Sequence, residues 1–419
     1  MSESKSTLYD VGDGMAGCGP IFPEGGFEKN SLRKQVFEHV RGNGSVARSD
    51  IARALSISAG SVTGIAAELI AAGLIQEIED PDREITVRGR PPVALAIVPD
   101  SFHVIGIHLA NERHSAILTD SIGTVLAETT HSACAPKRPV SDLIDEIILL
   151  VTDLLKIAGM ALNQISAIGI GIAGLVDHTT GTVAWSPLLS EANVKLAGTI
   201  EARTGTPVFI DNDANIVTLA ELWFGGGRTN SNFAVMTVEH GVGMGLVLNN
   251  RLFRGARGMG LELGHTKVQI GGALCRCGQR GCLEAYLADY ALIKEAASAL
   301  DLTAIGTEKN TMERLSAASK SGDPAAQAIF ENAAKYLILG LANIVQLFDP
   351  GLIIVSGGHI RYDNLDNIDL GAEAHKLTLN SNINACEVAL HAWDGLVWAR
   401  GASALALSAA TDYFTRESR

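Results

Sequence analysis

Cysteine, charge and above all basic residues are scarce in this chain, and long apolar runs are missing from it. Six cysteines in 419 residues are too few for a disulfide scaffold. Charged residues make up 19% of the chain, below the roughly 25% of an average soluble domain. Lys and Arg number 33 against 46 Asp and Glu, a net charge of −13. That balance excludes non-specific coating of nucleic acid, which needs cations to meet phosphate, but it leaves room for one small DNA-reading module in an acidic body. No apolar stretch reaches the ~18 residues of a membrane span, since Ile165–Val176 and Tyr336–Phe348 are short and interrupted. Met1–Phe27 lacks the charged start and apolar run of a secretory signal. These absences predict a cytoplasmic protein with no membrane partner.

What is present is a generous apolar content, 47% of the residues, and length for two to three domains at roughly 150 residues each. Residues 1–28 are glycine-rich with few large apolar side chains, and read as a flexible tail. In residues 29–97, Leu32, Val36, Phe37 and Val40 recur at helical spacing before Gly42-Asn43-Gly44. Ser49 and Ser58 are candidate caps of a second and a third helix. Val62, Ile65 and Leu69 face inward on the third, and Gly73 closes it. Strands near Leu74–Ile78 and Val93–Val98 follow, which completes the pattern of a winged helix-turn-helix. Beyond residue 98 strands and helices alternate, as in α/β lobes. Glycine-rich turns at strand ends in both halves suit two similar lobes around a cleft. The divisions are 98–221 for a small lobe, completed by a C-terminal helix at 395–415, and 222–394 for a large lobe.

The sharpest motif is His265-x9-Cys275-Arg276-Cys277-x4-Cys282. One imidazole and three thiolates complete a tetrahedral shell with no open position, which predicts a structural Zn2+ held by His265, Cys275, Cys277 and Cys282. Around it stand Glu262-Leu263-Gly264-His265 and Cys282-Leu283-Glu284. Upstream are Asp211-Asn212-Asp213-Ala214-Asn215 and Gly169–Asp177, and downstream is Asp349-Pro350 leading to Gly357-Gly358.

Over about residues 98–410 this pattern resembles the ROK family of repressors, open reading frames and sugar kinases. The resemblance implies a two-lobed actin-like (ribonuclease H-like) sugar-kinase fold with a sugar between the lobes. It also implies that Asn212, Asp213, Glu262, His265 and Glu284 contact sugar hydroxyls. In the family's kinases the residue matching Asp213 is the base that takes the proton of the attacking hydroxyl. The residue types suit the task independently of the family: a carboxylate accepts from two neighbouring hydroxyls, and an Asn amide both donates and accepts.

Three stretches depart from or add to that pattern. Ser186-Pro187 is followed by Leu188 where family sugar binders carry an Asn. The kinases' Asp-x-Gly-Gly-Thr phosphate loop is replaced by His108-Leu109-Ala110-Asn111-Glu112, and their Gly-Thr-Gly loop by Glu239-His240-Gly241-Val242-Gly243. The first loop loses the glycines that let backbone approach phosphate, the second keeps glycines but loses its Thr, and each gains a carboxylate, which argues against ATP. In the N-terminal module Arg88-Gly89-Arg90-Pro91 reads as a minor-groove hook, and Ser58, Ser61 and Thr63 are small polar groups suited to phosphate or base edges. Residues 29–97 hold nine basic side chains against eight acidic ones, so any basic face there is local.

The sequence therefore predicts a sugar-responsive DNA-binding regulator, a repressor with a kinase-derived sensor and no enzymatic activity. Its partners would be operator DNA and a sugar or sugar phosphate inducer, and its assembly a homodimer or homotetramer. The rival is an ATP-dependent sugar kinase with a fused DNA-binding domain, in which Asp213 would be catalytic. A third reading is a DNA-binding scaffold with a dead sensor.

Overall fold

The computed structural model describes residues 16–22, 31–79, 93–256, 258, 260–299, 308–357, 368–379, 384–391 and 395–416. Arg88 and Arg90 lie outside the described residues.

Helix α1 (Leu32–Asn43) starts where the Ser31 hydroxyl accepts from the Lys34 N–H and stops at Gly44, whose φ of 77° a side chain would oppose. Strand β1 (Ser45–Ala47) leads directly into α2 (Arg48–Ala54), and a four-residue turn joins α2 to α3 (Ala59–Ala71). The two helices are bent by 117° to each other, within the range of helix-turn-helix units. Ser58 caps α3 through the Ser61 N–H at 3.0 Å. Ser49 does not cap α2: β1 keeps the chain extended as far as Ala47, which is the cap, and Ser49 falls inside the helix. On α3, Val62, Ala66 and Leu69 are fully buried, while Ile65 is half-buried. Strands β2 (Ile75–Glu79) and β3 (Val93–Ile97) complete an antiparallel sheet of order β1-β3-β2.

The small lobe begins with the antiparallel meander β4 (His103–Leu109), β5 (Arg113–Thr119) and β6 (Val125–Ser132). Helix α4 (Val140–Ala158) carries Leu143, Ile147, Leu150 and Leu154 onto the sheet at helical spacing. Strand β7 (Ile165–Ile172), the hairpin β8 (Leu175–Asp177) and β9 (Thr182–Trp185), helix α5 (Leu196–Thr204) and strand β10 (Val208–Asn212) follow. The sheet order is β10-β7-β4-β5-β6. Helix α6 (Asp213–Phe224) then leads toward the second lobe, so the 221/222 division expected from the sequence falls inside a helix.

The large lobe repeats that topology. Strands β11 (Phe233–Val238), β12 (Val242–Leu248) and β13 (Arg251–Phe253) form an antiparallel meander. Helices α7 (Glu284–Leu287), α8 (Asp289–Ala299), α9 (Glu308–Lys320) and α10 (Pro324–Phe348) precede β14 (Leu352–Ser356). Helix α11 (Leu370–His375) then leads to β15 (Glu387–His391). The order β13-β12-β11-β14-β15 is the small lobe's order again, with the fourth and fifth strands parallel to the first. Among the described residues one helix, α10, is long and apolar enough to cross a membrane. Its Leu337, Leu341 and Ile344 are buried in the large-lobe core.

Helix α12 (Val397–Phe414) returns to the small lobe and lies on β4 and β7. A Cβ on Gly106 would sit 2.2 Å from the Ala399 carbonyl oxygen, and one on Gly169 would sit 2.0 Å from that of Ala402. Glycine on the strands and small residues on the helix let backbone meet backbone there.

Residues 16–22 correct the expectation of a flexible tail over 1–28. Cys18 is 2% exposed, because its neighbours hydrogen-bond into the junction between α1 and α6.

Candidate sugar and metal site

The site residues gather at the carboxyl end of β10 and the start of α6, where an open α/β sheet presents its ligand crevice. Asp213 is the first residue of α6, and its carboxylate accepts from the Ala214 N–H at 2.9 Å. Burial raises its pKa, and the nearby Glu239 carboxylate adds to the rise. Glu262 is likewise raised, first by burial and then by Asp213 and Glu284, with His265 opposing. The carboxylates of Asp213, Glu239, Glu262 and Glu284 thus share one electrostatic neighbourhood. Glu284 opens α7, and its carboxylate accepts from the Val242 N–H (3.4 Å) and the Tyr290 hydroxyl (3.3 Å).

Asn212 is more committed than the sequence suggested. Its Oδ1 caps α6 by accepting from the Ala214 N–H (2.8 Å), and its Nδ2 donates to the Gly174 carbonyl (2.7 Å). Gly174 holds φ at 128°, and a Cβ there would meet the Trp185 carbonyl oxygen at 2.1 Å, so this glycine is what brings the β8–β9 hairpin against Asn212. One N–H and one acceptor site remain on the amide for a ligand.

Two residues that sequence reasoning gave no role complete the floor. Asp211, 2% exposed, accepts from Asn215 Nδ2 (2.7 Å) and from Arg254 Nε (2.7 Å). Tyr290 bonds Glu284 and carries the Arg276 guanidinium 4.0 Å above its ring. No spacing rule reaches Tyr290 from the cysteines. Leu188 is 1% exposed and lies in the small-lobe core, so it offers nothing to a hydroxyl.

The metal cluster assembles as its spacing requires. The ligand atoms of His265, Cys275, Cys277 and Cys282 all lie within 4.8 Å of one another. His265 Nδ1 to Cys275 Sγ is 3.7 Å, and Cys277 Sγ to Cys282 Sγ is 3.7 Å. A tetrahedron with metal–sulfur bonds of ~2.3 Å has edges of about 3.8 Å, so the donors fit a four-coordinate thiophilic ion. Cys275 Sγ also lies 3.4 Å from Glu284 Oε1, which ties the cluster to the carboxylate site.

Leu261, next to Glu262, has φ 71°, a left-handed conformation that a branched side chain resists. Leu261→Gly is expected to be more stable than Leu261→Ala by about 1 kcal/mol in chemical denaturation, because both lose the same packing and only glycine relieves the backbone. Ordinary backbone would give the reverse order.

The two stretches set against the kinases' phosphate loops, His108–Glu112 and Glu239–Gly243, have their own packing. His108 stacks on Trp398 with ring centroids 5.2 Å apart, and burial pushes its imidazole down to about 3, so it is neutral. In the second loop a Cβ on Gly241 would meet Glu284 Oε2 at 3.2 Å and one on Gly243 would meet Ala214 Cβ of α6 at 2.9 Å, while farther along β12 one on Gly245 would meet Thr218 Oγ1 at 1.9 Å. The smallness of Gly243 and Gly245 lets α6 approach β12.

On the N-terminal module, Ser58, Ser61 and Thr63 are all exposed on α3. Ser58 Oγ and Ser61 Oγ are 2.8 Å apart, and Thr63 Oγ1 donates to the Ala59 carbonyl (2.8 Å).

Comparison with known proteins places these features in a lineage. The xylose repressor of Caldicellulosiruptor bescii is 29% identical over 331 residues, which cover 76% of this chain and 81% of that protein. A glucokinase of Streptomyces coelicolor is 32% identical over 265 residues, covering 61% of this chain and 81% of the kinase. A crystal structure described as a ROK family transcriptional regulator, homologous to the E. coli MLC protein, superposes with a TM-score of 0.76. It shares 25% identity and covers 91% of this chain and 96% of its own. The ROK family model matches residues 104–409, and the chain belongs to the ROK family.

Proposed function

We propose that the chain is a cytoplasmic, sugar-responsive transcriptional regulator, a repressor of carbohydrate uptake or catabolism genes, whose kinase-derived sensor no longer uses ATP. The observation that carries this reading is the joining of two parts in one body. A helix-turn-helix unit, with Ser58, Ser61 and Thr63 exposed, sits on a ROK core that brings Asp213, Glu262 and Glu284 into one neighbourhood; in this reading the stretches at His108–Glu112 and Glu239–Gly243 no longer serve ATP. The likeness to a ROK transcriptional regulator over 91% of the chain supports it, since the match extends beyond the lobes. Asp213, Glu262, His265, Glu284 and the free edge of Asn212 would receive the sugar hydroxyls. His265, Cys275, Cys277 and Cys282 would hold a structural zinc, which fixes the loop that presents His265 and Glu284 and supplies no reactive position.

The N-terminal unit, residues 29–97, acts in this reading as a winged helix-turn-helix. Ser58, Ser61 and Thr63 would meet the major-groove side, and Arg88 and Arg90 would enter the minor groove. One such module contacts few bases, so two half-sites bound by a symmetric homodimer or homotetramer are required.

The test is a titration of DNA from upstream of the chain's own gene and of neighbouring sugar-uptake genes, at fixed salt. It is run with and without D-xylose, D-glucose or N-acetyl-D-glucosamine. One of these sugars should change affinity for the specific fragment and hardly alter affinity for unrelated DNA. Arg90→Ala should cost roughly 1–3 kcal/mol on that fragment. Tight binding by residues 98–419 alone would place DNA recognition elsewhere. The kinase reading, favoured by the intact Asp213 and the glucokinase likeness, predicts ATP-dependent phosphorylation of a sugar at on the order of 1–100 s⁻¹, abolished in Asp213→Asn. The regulator reading predicts none.

A further inference from the structure

The seam between the N-terminal unit and the lobes joins an apolar cluster, with Phe37, Phe102 and Phe414 in ring contact, to a set of polar contacts. Cys18 N–H donates to the Arg41 carbonyl (3.1 Å), Gly19 N–H to the Trp223 carbonyl (2.9 Å) and Ile21 N–H to the Arg228 carbonyl (2.8 Å). A Cβ on Gly17 would sit 2.1 Å from the Arg41 oxygen, so only glycine passes there. Residues 16–22 thus bind α1 and the end of α6 at once.

Two buried arginines cross the same seam. Arg41, in the last turn of α1, is 1% exposed. Its guanidinium lies 4.3 Å above the Trp223 ring and donates to Thr411 Oγ1 of α12 at 2.7 Å. Arg228, 3% exposed, sits in the Gly226–Thr229 turn by which the chain passes from α6 to β11, and so from one lobe to the other. It donates to the carbonyls of Ala16 (3.1 Å), Gly19 (3.1 Å) and Gly42 (2.6 Å), the last at the end of α1.

Helix α6 runs from the sugar-side Asp213 to this turn, a rigid span of about 18 Å. At its far end Glu221 accepts from the Gly226 N–H (3.1 Å) and lies 2.8 Å from His391 Nδ1 of β15. The turn that bears Arg228 is therefore fastened to the large-lobe sheet as well. Helix α1 in turn packs on α3 through Phe37, Val40, Val62 and Leu69. The apolar part of the seam could slide by degrees, but hydrogen bonds from a guanidinium are lost within about 1 Å of displacement. A buried charge left unpaired is costly, so the contact is either made or exchanged for another.

We propose that Arg228 is a latch through which sugar occupancy alters DNA affinity. Its bonds to Ala16, Gly19 and Gly42 hold α1, and with it α3, in one orientation on the interlobe crossing. Closure of the lobes on a sugar changes those bonds. The proposal rests on the regulator reading above, and deepens it by naming the residue that couples the two sites.

The experiment uses the full chain, the same upstream DNA fragment and the same three sugars. In the wild type, the active sugar should shift DNA affinity by a factor within about 5–150, the usual range of allosteric coupling. Arg228→Ala should bind that sugar within about threefold of wild type and still bind DNA, while the shift falls below about twofold; a merely structural role would not remove coupling alone. Arg228→Lys keeps the charge without the fork, and should reduce the shift at least threefold at an unchanged melting temperature. It stands as the test if the alanine variant does not fold. A full wild-type shift in either folded variant overturns the latch. No shift in the wild type with any sugar overturns the regulator reading itself, and the latch with it.

Discussion

Cys282→Ser is expected to leave the protein with well below one zinc per chain, where the wild type purified with metal should hold one. Cys282 is fully buried in the cluster, and the stretch from Gly271 to Leu283 has little apolar packing: Cys275, Cys282 and Leu283 are its buried apolar residues. Structural zinc supplies on the order of 10 kcal/mol of local folding energy in peptides of similar donor content, so removal should melt the loop rather than loosen it. The effect should reach the sugar. Glu284 stands two residues from Cys282, and His265 is itself a ligand, so affinity for the active sugar should fall at least tenfold, about 1.4 kcal/mol. Cys277→Ser should act in the same direction, although Cys277 is exposed. Elemental analysis, and a thermal melt with and without chelator, check both claims. A chelator-insensitive melting temperature in protein that never held metal would reject the site.

The second large effect lies far from any ligand. Gly401→Ala should destabilise the protein by about 3 kcal/mol, the upper end of the ordinary cost of overpacking. A Cβ at that position would sit 1.7 Å from the Ile216 carbonyl oxygen, with α6 and α12 backbone to backbone. Neither backbone can retreat, since α12 is also pressed onto Gly106 and Gly169. Gly64→Ala in exposed α3, where a Cβ meets nothing within 4 Å, is the matched control. It should stabilise by roughly 0.5–1 kcal/mol through helix propensity. Denaturant melts of the two variants should therefore move in opposite directions. Because α6 begins with Asp213, the Gly401 variant should also lose sugar affinity where it remains folded.

Much of the chemistry was legible in the sequence because it is local. A ligand set spaced over Cys275–Cys282 can hardly avoid forming a cluster once the loop turns, and His265 needs only the short approach from Leu263 to join it. A capping Ser58, a terminating Gly73 and the apolar periods of α1 and α4 likewise act within one or two turns, so their residues announce them. The strand-to-helix junction at Asn212-Asp213 belongs to the same class.

Other features were decided only when distant segments met. Strand β1 is three residues long and exists because β3 pairs with it, and that pairing moved the cap of α2 from Ser49 to Ala47. Asn212 looked free for a ligand until Gly174 arrived from the β8–β9 hairpin and claimed half of its amide. Leu188 stands where family sugar binders carry an Asn, and only the packed structure gives its side chain a place, in the small-lobe core. Residues 16–22 carry no apolar period, and are held by hydrogen bonds to carbonyls of Arg41, Trp223 and Arg228 that no pattern in their own composition encodes. The sequence by itself determined which four residues could gather around a metal, because donor chemistry and short spacing are properties of the chain. Tertiary structure alone decided that α6 would join the site at Asp213 to the N-terminal unit, because backbone hydrogen bonds across more than 200 residues exist only after the lobes have packed.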